Sequence, residues 1–217
     1  MHTFRLLPVL GAMLLGSFLF SSCDKDEIPT DQPAPYKPYL PLQVGNYWVY
    51  QLFEVVDSSG GKVTPTQNFD SCYIEKDTMI GADQYFKFIH HPQGAEAVRF
   101  YKDSLRYLVD YDLGVVFNHE DVAILNQYYQ MNGADTVARV ALQVDTAEYV
   151  VSTPTDNHRS KLAKRTYFFV QPNHPTGQER HIKTYYSSGV GIVKETLPYN
   201  MNQYKTVERR LVRARVQ

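Results

Sequence analysis

Cysteine, histidine, tyrosine and arginine are the side chains here whose type and spacing could carry chemistry, and most familiar catalytic arrangements are missing. His90, His91, His119, His158, His174 and His181 never repeat at the close spacing of a zinc-binding helix. His90 and His91 are adjacent, so on a strand they point to opposite faces and cannot share a metal. His119-Glu120-Asp121 offers donors at an expected turn or helix start, where acids serve the N-terminal dipole. Neither a metal nor a cofactor is expected. The chain has no G-x-S-x-G elbow for a serine nucleophile and no G-x-G-x-x-G loop for a phosphate. A carboxylate-dependent hydrolase remains an alternative, since the pair of acids it needs is set by distance in space and not along the chain. The expectation is a protein that is not an enzyme.

Two kinds of residue remain as candidate ligand contacts. The chain holds 17 tyrosines, whose flat amphipathic rings can stack on sugars or enclose apolar molecules, although tyrosine also simply suits half-buried strands. The pairs Tyr128/Tyr129 and Tyr185/Tyr186 would each put one ring on either face of a strand. Basic clusters occur at Arg159, Lys161, Lys164 and Arg165, after a loop-like stretch, and at Arg209, Arg210, Arg213 and Arg215. Arg209 and Arg213 are the candidates in the last strand for meeting phosphates or an acidic glycan; the alternative is that these charges protect a sheet edge. With 22 basic and 23 acidic residues the net charge is −1, which gives no case for nucleic acid as a partner. Cys72 lies in the strand-like run Ser71-Cys72-Tyr73-Ile74 and reads as a small buried hydrophobe.

The elements that must position these residues are strands. Tyr47, Val49, Phe53 and Val55, then Leu105, Tyr107, Val109 and Tyr111, then Val140, Leu142 and Val144 alternate with a period near two. Turn signals separate them at Ser59-Gly60-Gly61, Ile80-Gly81-Ala82-Asp83, Pro92-Gln93-Gly94, Asn132-Gly133 and Pro175-Thr176-Gly177. The fold expected is all-β with at most one or two short helices: one strongly curved antiparallel sheet, half-barrel or barrel-like, with a sandwich as the alternative. Residues 120–131 fit a short helix about as well as a strand. Residues 40–217 form one domain, large enough for its own core; 153–164, the best place for a second linker, is only loop-sized.

Ahead of the domain, Met1 to Arg5 is a short basic start and Leu6 to Phe20 an apolar run without charge, the layout of a secretory signal over residues 1–22. That run is about fifteen residues, short of the roughly 20 a spanning helix needs. Small Ser21 and Ser22 before Cys23 resemble the lipobox of bacterial lipoproteins, which implies cleavage before Cys23 and lipid attachment to it. Lys25-Asp26-Glu27 resembles the surface-export signal of Bacteroidota lipoproteins. Prolines punctuate residues 23–39, a tether that could hold its domain up to roughly 50 Å from the lipid at about 3.1 Å per residue.

Two segments of the domain carry a further resemblance. Leu40-Pro41-Leu42-Gln43-Val44-Gly45-Asn46-Tyr47-Trp48-Val49-Tyr50 and Tyr185-Tyr186-Ser187-Ser188-Gly189-Val190-Gly191-Ile192-Val193-Lys194 are similar to uncharacterised Bacteroidota lipoproteins with a P-L-x-x-G-N-Y-W-x-Y opening and a Y-Y-x-x-G-V-G-[IL]-V-K strand pair. The resemblance implies an all-β envelope fold and brings no catalytic residues. The expected protein is therefore a lipid-anchored outer-membrane lipoprotein, exposed at the cell surface, that binds a glycan, a lipid or an envelope protein. A periplasm-facing lipid carrier or assembly factor is the alternative, and would need an apolar cavity inside the half-barrel. In the residues themselves, Gly45-Asn46 reads as a turn into the first strand, Trp48 as a filler of the sheet interior, and Gly189 with Gly191 as a tight reversal or bulge.

Overall fold

A computed structural model describes residues 36–55, 62–91, 95–104, 106–118, 124–170, 179–198 and 206–217. Cys23, Lys25, Asp26, Glu27 and His119-Glu120-Asp121 lie outside them, as do the turn signals around Gly60, Gln93 and Thr176.

Twelve strands make one antiparallel sheet, and no helix occurs among the described residues. The strands are β1 (Tyr47–Val55), β2 (Val63–Ile80), β3 (Asp83–His90), β4 (Ala97–Ser104), β5 (Tyr107–Asp110), β6 (Gly114–Asn118), β7 (Asn126–Asn132), β8 (Asp135–Ser152), β9 (Asn157–Phe169), β10 (Glu179–Ser187), β11 (Gly191–Pro198) and β12 (Thr206–Arg215). Their order is β6-β5-β4-β3-β2-β1-β12-β11-β10-β9-β8-β7. Every consecutive pair of strands is adjacent except β6 and β7, and β12 closes onto β1. The sheet is thus a nearly closed barrel, as expected from many short strands with short connections. Its seam lies between β6 and β7, where the Asn126 side-chain amide donates a hydrogen bond to the Leu113 carbonyl.

Local chemistry explains the hairpins. Gly81 and Gly133 sit at turns with φ of +64° and +61°, left-handed backbone that a side chain resists. The segment around 153–156 is only a hairpin turn, closed by Thr153 N–H to the Asp156 carbonyl at 2.9 Å; the chain from Asn157 onward is strand, not loop. Residues 126–132 are strand, so the helical reading of 120–131 is overturned where it can be seen. Tyr128 and Tyr129 alternate there in pairing with β8, and that ladder outweighs the weak helical pattern.

The core lies on the concave face and includes Trp48, Tyr50, Cys72, Ile74, Phe88, Phe117, Leu142, Val144, Tyr186, Val193 and Leu211. Alternation at Val140, Leu142 and Val144 points inward as expected. In β1 the inward residues are Trp48 and Tyr50, in keeping with Trp48 as a filler of the interior, and Tyr47 and Val49 share the opposite face; in β5 Leu108 and Asp110 are inward, opposite Tyr107 and Val109. Both faces of these strands carry apolar or aromatic side chains, so period two leaves the phase open.

The two family-like segments meet in space. Gly45 turns with φ +89°, and buried Asn46 accepts from the Gln217 backbone N–H at 3.0 Å while donating to the Pro41 carbonyl at 3.0 Å. The Trp48 indole donates to the Val190 carbonyl at 2.6 Å, and the Tyr50 hydroxyl to the Ile192 carbonyl at 2.9 Å. Between those carbonyls Gly191 holds φ +110°, and a Cβ there would stand 2.8 Å from the Trp48 nitrogen. The expected tight reversal is real, with a register shift between Tyr185 and Tyr186. Gly189 N–H donates to Pro38 O at 2.8 Å and Ser188 to Lys37 O at 3.0 Å, so docking of the chain begins before Leu40.

Candidate functional site

A concavity of about 260 Å³ is lined by Tyr149, Val150, Val151, Ser152, Tyr185, Lys194 and Arg210; Val151 belongs to the core, and Tyr149 and Tyr185 pack against its edge. Register explains how it forms. Tyr186 faces inward, its ring 4.4 Å from that of Phe117 across the barrel, so Tyr185 must face outward beside its cross-strand partner Lys194. Lys194 pairs with Arg210 on β12. Tyr149 comes from β8, where Asp145, Thr146 and Ala147 bulge out between the Val144↔Ala163 and Glu148↔Lys161 pairs. The Asp145 carboxylate fixes that bulge by accepting from Ala147 N–H at 3.1 Å and from the Tyr149 hydroxyl. This last bond holds Asp145 below the usual carboxylate range and raises the Tyr149 phenol.

The two rings meet edge to face, 5.9 Å apart at 84°, and Lys194 Nζ stands 5.4 Å from the centre of Tyr185. Both cations converge on Glu208, which takes Lys194 at 3.0 Å and Arg210 at 2.7 Å. Burial, and then the charge of Glu208, lift the Tyr185 phenol above its ordinary value. Val150, 73% exposed, forms an apolar rim. Such a groove offers flat apolar faces, phenol hydroxyls and two cations, Lys194 and Arg210, whose charge is offset by Glu208 and by Asp145 on the Tyr149 side. Glu208 is committed to two cations and so is poorly placed to transfer a proton.

The sequence candidates separate. Tyr185 lies in the groove. Tyr186 is buried in the core. Tyr129 is 65% exposed on β7, and Tyr128 is half-buried on the concave face opposite Val140. Arg213 is exposed, its guanidinium 5.6 Å from the Tyr47 ring centre. Arg209 is not a surface contact: it is 3% exposed, pairs with Glu195 at 2.7 Å, touches Cys72 Sγ at 3.4 Å and stacks 4.8 Å over the Tyr50 ring. The basic charges of β12 do not guard an edge either, because β12 lies between β1 and β11. Lys194 and Tyr149 were missed by sequence reasoning; only their pairing with Arg210 and the β8 bulge bring them to the groove.

The concave face is filled in its middle by its own rings. Trp48 and Phe88 lie 5.9 Å apart, Phe88 and Tyr101 5.5 Å, and Tyr39 and Phe117 5.0 Å. That packing does not favour a lipid in the middle of the barrel. Burial pushes the Cys72 thiol up to about 11, as befits a small buried hydrophobe and not a nucleophile. His90 faces inward with Cys72, while His91 turns out toward Tyr73, at 6.3 Å, and Glu96. No group of three or more metal-ligating side chains forms among the described residues.

At the concave end beside the seam, Arg165 shares its row with Leu142 and Ile182, and Tyr167 the next row with Val140. Arg99 lies across the seam on β4, 4.0 Å from Asp110 and 3.7 Å from Asp112. Burial raises the Tyr128 phenol, and the charges of Arg165 and Arg99 both pull it back.

Comparison with known proteins yields no matching family model and no matching curated protein. Among solved structures, the chain is similar to a proposed lipoprotein from Parabacteroides distasonis ATCC 8503, with 13% identity and a TM-score of 0.46 over 83% of this chain and 99% of that one. It is also similar to a proposed exported protein with a YmcC-like fold from Bacteroides fragilis NCTC 9343, with 12% identity and a TM-score of 0.43 over 82% and 99% of the two chains. At that distance neither carries a residue's role into this chain.

Proposed function

We propose that this chain is a lipid-anchored envelope lipoprotein, held at Cys23 and exposed at the cell surface, whose domain binds a glycan without catalysing a reaction. The observation that carries the binding reading is the outward groove in which Tyr149 and Tyr185 meet edge to face beside Lys194 and Arg210. Rings of this kind stack on the apolar face of a sugar, and the phenol hydroxyls and cations can meet its hydroxyl or carboxylate groups. The surface placement rests on the sequence Lys25-Asp26-Glu27.

The test is a glycan array of neutral and acidic sugars, with vesicles of envelope lipid as a second arm, probed with the wild-type chain and Tyr185→Ala. Glycan binding that Tyr185→Ala weakens about tenfold, near 1.4 kcal/mol, is the expected result. Binding unaffected by that change, preference for vesicles over every sugar, or turnover of a bound glycan would overturn the reading.

A further inference from the structure

Arg165 carries a charge that the described part of the molecule does not answer. It sits on the concave face, in register with core residue Leu142, and its Nε is shut off from solvent without a hydrogen bond. Among the described residues no carboxylate lies within ion-pair distance of it; the groups that bear on it most closely are the phenols of Tyr167, through a hydrogen bond, and Tyr128. Arg209, equally inward, has Glu195 at 2.7 Å. The contrast matters because a guanidinium does not shed its proton, so once buried it needs a counter-charge from elsewhere.

The surroundings are arranged to receive one. The row Asn126–Leu142–Arg165 leads to the seam, where Asn126 reaches over to Leu113. Arg99 looks in from the far side, and its contacts to Asp110 and Asp112 are both longer than hydrogen bonds. Asp110 spends one oxygen on the backbone N–H groups of Asp112 and Leu113, at 2.9 and 3.1 Å. Its other oxygen is buried and makes no hydrogen bond. Arg165, Tyr128 and Tyr167 all keep part of their surface open to solvent. Two cations and two phenols therefore converge at one open end of the barrel, and the one buried acid beside them is partly committed.

We propose that this end of the concave face binds an oxyanion, a carboxylate or phosphate borne by a larger molecule, gripped by the Arg165 fork with Tyr128 and Tyr167 and assisted by Arg99. The planar guanidinium suits a two-oxygen acceptor. The site is on the opposite face from the Tyr185 groove and does not depend on it.

The experiment is calorimetric titration and thermal unfolding of the full chain in nonionic detergent, with inorganic phosphate and with glucuronate, at ionic strength fixed by chloride. Wild type is expected to bind one of them saturably and to melt higher with it than in chloride alone; which one binds tells phosphate from carboxylate. Arg165→Met should weaken that binding at least about tenfold. Without ligand it should melt no lower than wild type, because the change removes an unanswered charge. Arg165→Lys keeps the charge and loses the fork, and should likewise bind about tenfold more weakly. Absence of saturable binding to either anion, wild-type affinity in the variants, or a ligand-free Arg165→Met that melts well below wild type would each overturn it.

Discussion

Two inward residues show how charge is kept inside this barrel. Arg209 is held by Glu195, whose other oxygen accepts from the Thr184 hydroxyl at 2.9 Å. Breaking such a pair leaves a buried charge without its partner, so Arg209→Met should cost about 3 kcal/mol in urea unfolding. Arg209→Met with Glu195→Met should recover most of that loss, because the apolar pair removes both desolvated charges. His90 lies in the same region, and burial first, then the positive charge of Arg209, lowers its pKa to about 4 from 6.5. Between those values the unfolded chain binds the proton and the folded chain does not. Stability is therefore full above pH 6.5 and falls as pH drops toward 4, by about 2 kcal/mol after allowance for the solvent the ring still meets. Glu195, Arg99 and His91 also act on this ring, Glu195 in the opposite sense. Denaturant midpoints across that range should show the slope, and His90→Gln should flatten it.

At the scale of elements, the β10–β11 reversal is the joint that ties the ends of the domain together. Trp48 and Tyr50 on β1 capture the carbonyls on either side of Gly191. Gly191→Ala meets both a left-handed backbone and a 2.8 Å clash with the indole, so thermal unfolding should reveal a loss of about 2–4 kcal/mol. Gly81→Ala is the comparison: φ is +64° but nothing stands within 4 Å of the new methyl, and only the backbone cost of about 1 kcal/mol remains. Equal effects at the two sites would contradict the clamp. The β8 bulge is the second such element, because Asp145 to Ala147 turn Tyr149 toward the groove.

For the whole molecule, the proposed attachment at Cys23 would set where the domain acts. Replacing Cys23→Ala should release the protein from membranes or leave the leader uncut, as read by fractionation and mass. Unchanged attachment and processing would contradict lipid anchoring. Protease shaving of intact cells then separates surface from periplasm. The barrel itself stays open along one line, between β6 and β7.

What the sequence by itself determined is local: strands from period two, turns at Gly81 and Gly133, Cys72 as a buried side chain, Trp48 as interior filler, and a tight reversal at Gly189 to Gly191. Each follows from the backbone or polarity of a few neighbouring residues. Only the tertiary structure decided which face of β5 is inward, since both of its faces carry apolar or aromatic side chains. It also decided the fate of the β12 arginines. Arg209 and Arg210 are adjacent in the chain, yet one meets Glu195 inside and the other Glu208 outside, because neighbours on a strand alternate and the pairing with β11 chose their partners. The basic cluster at 159–165 divides in the same way and leaves Arg165 facing inward without a carboxylate among the described residues. Spacing along the chain cannot show such a vacancy, because it depends on what arrives from strands far away in sequence.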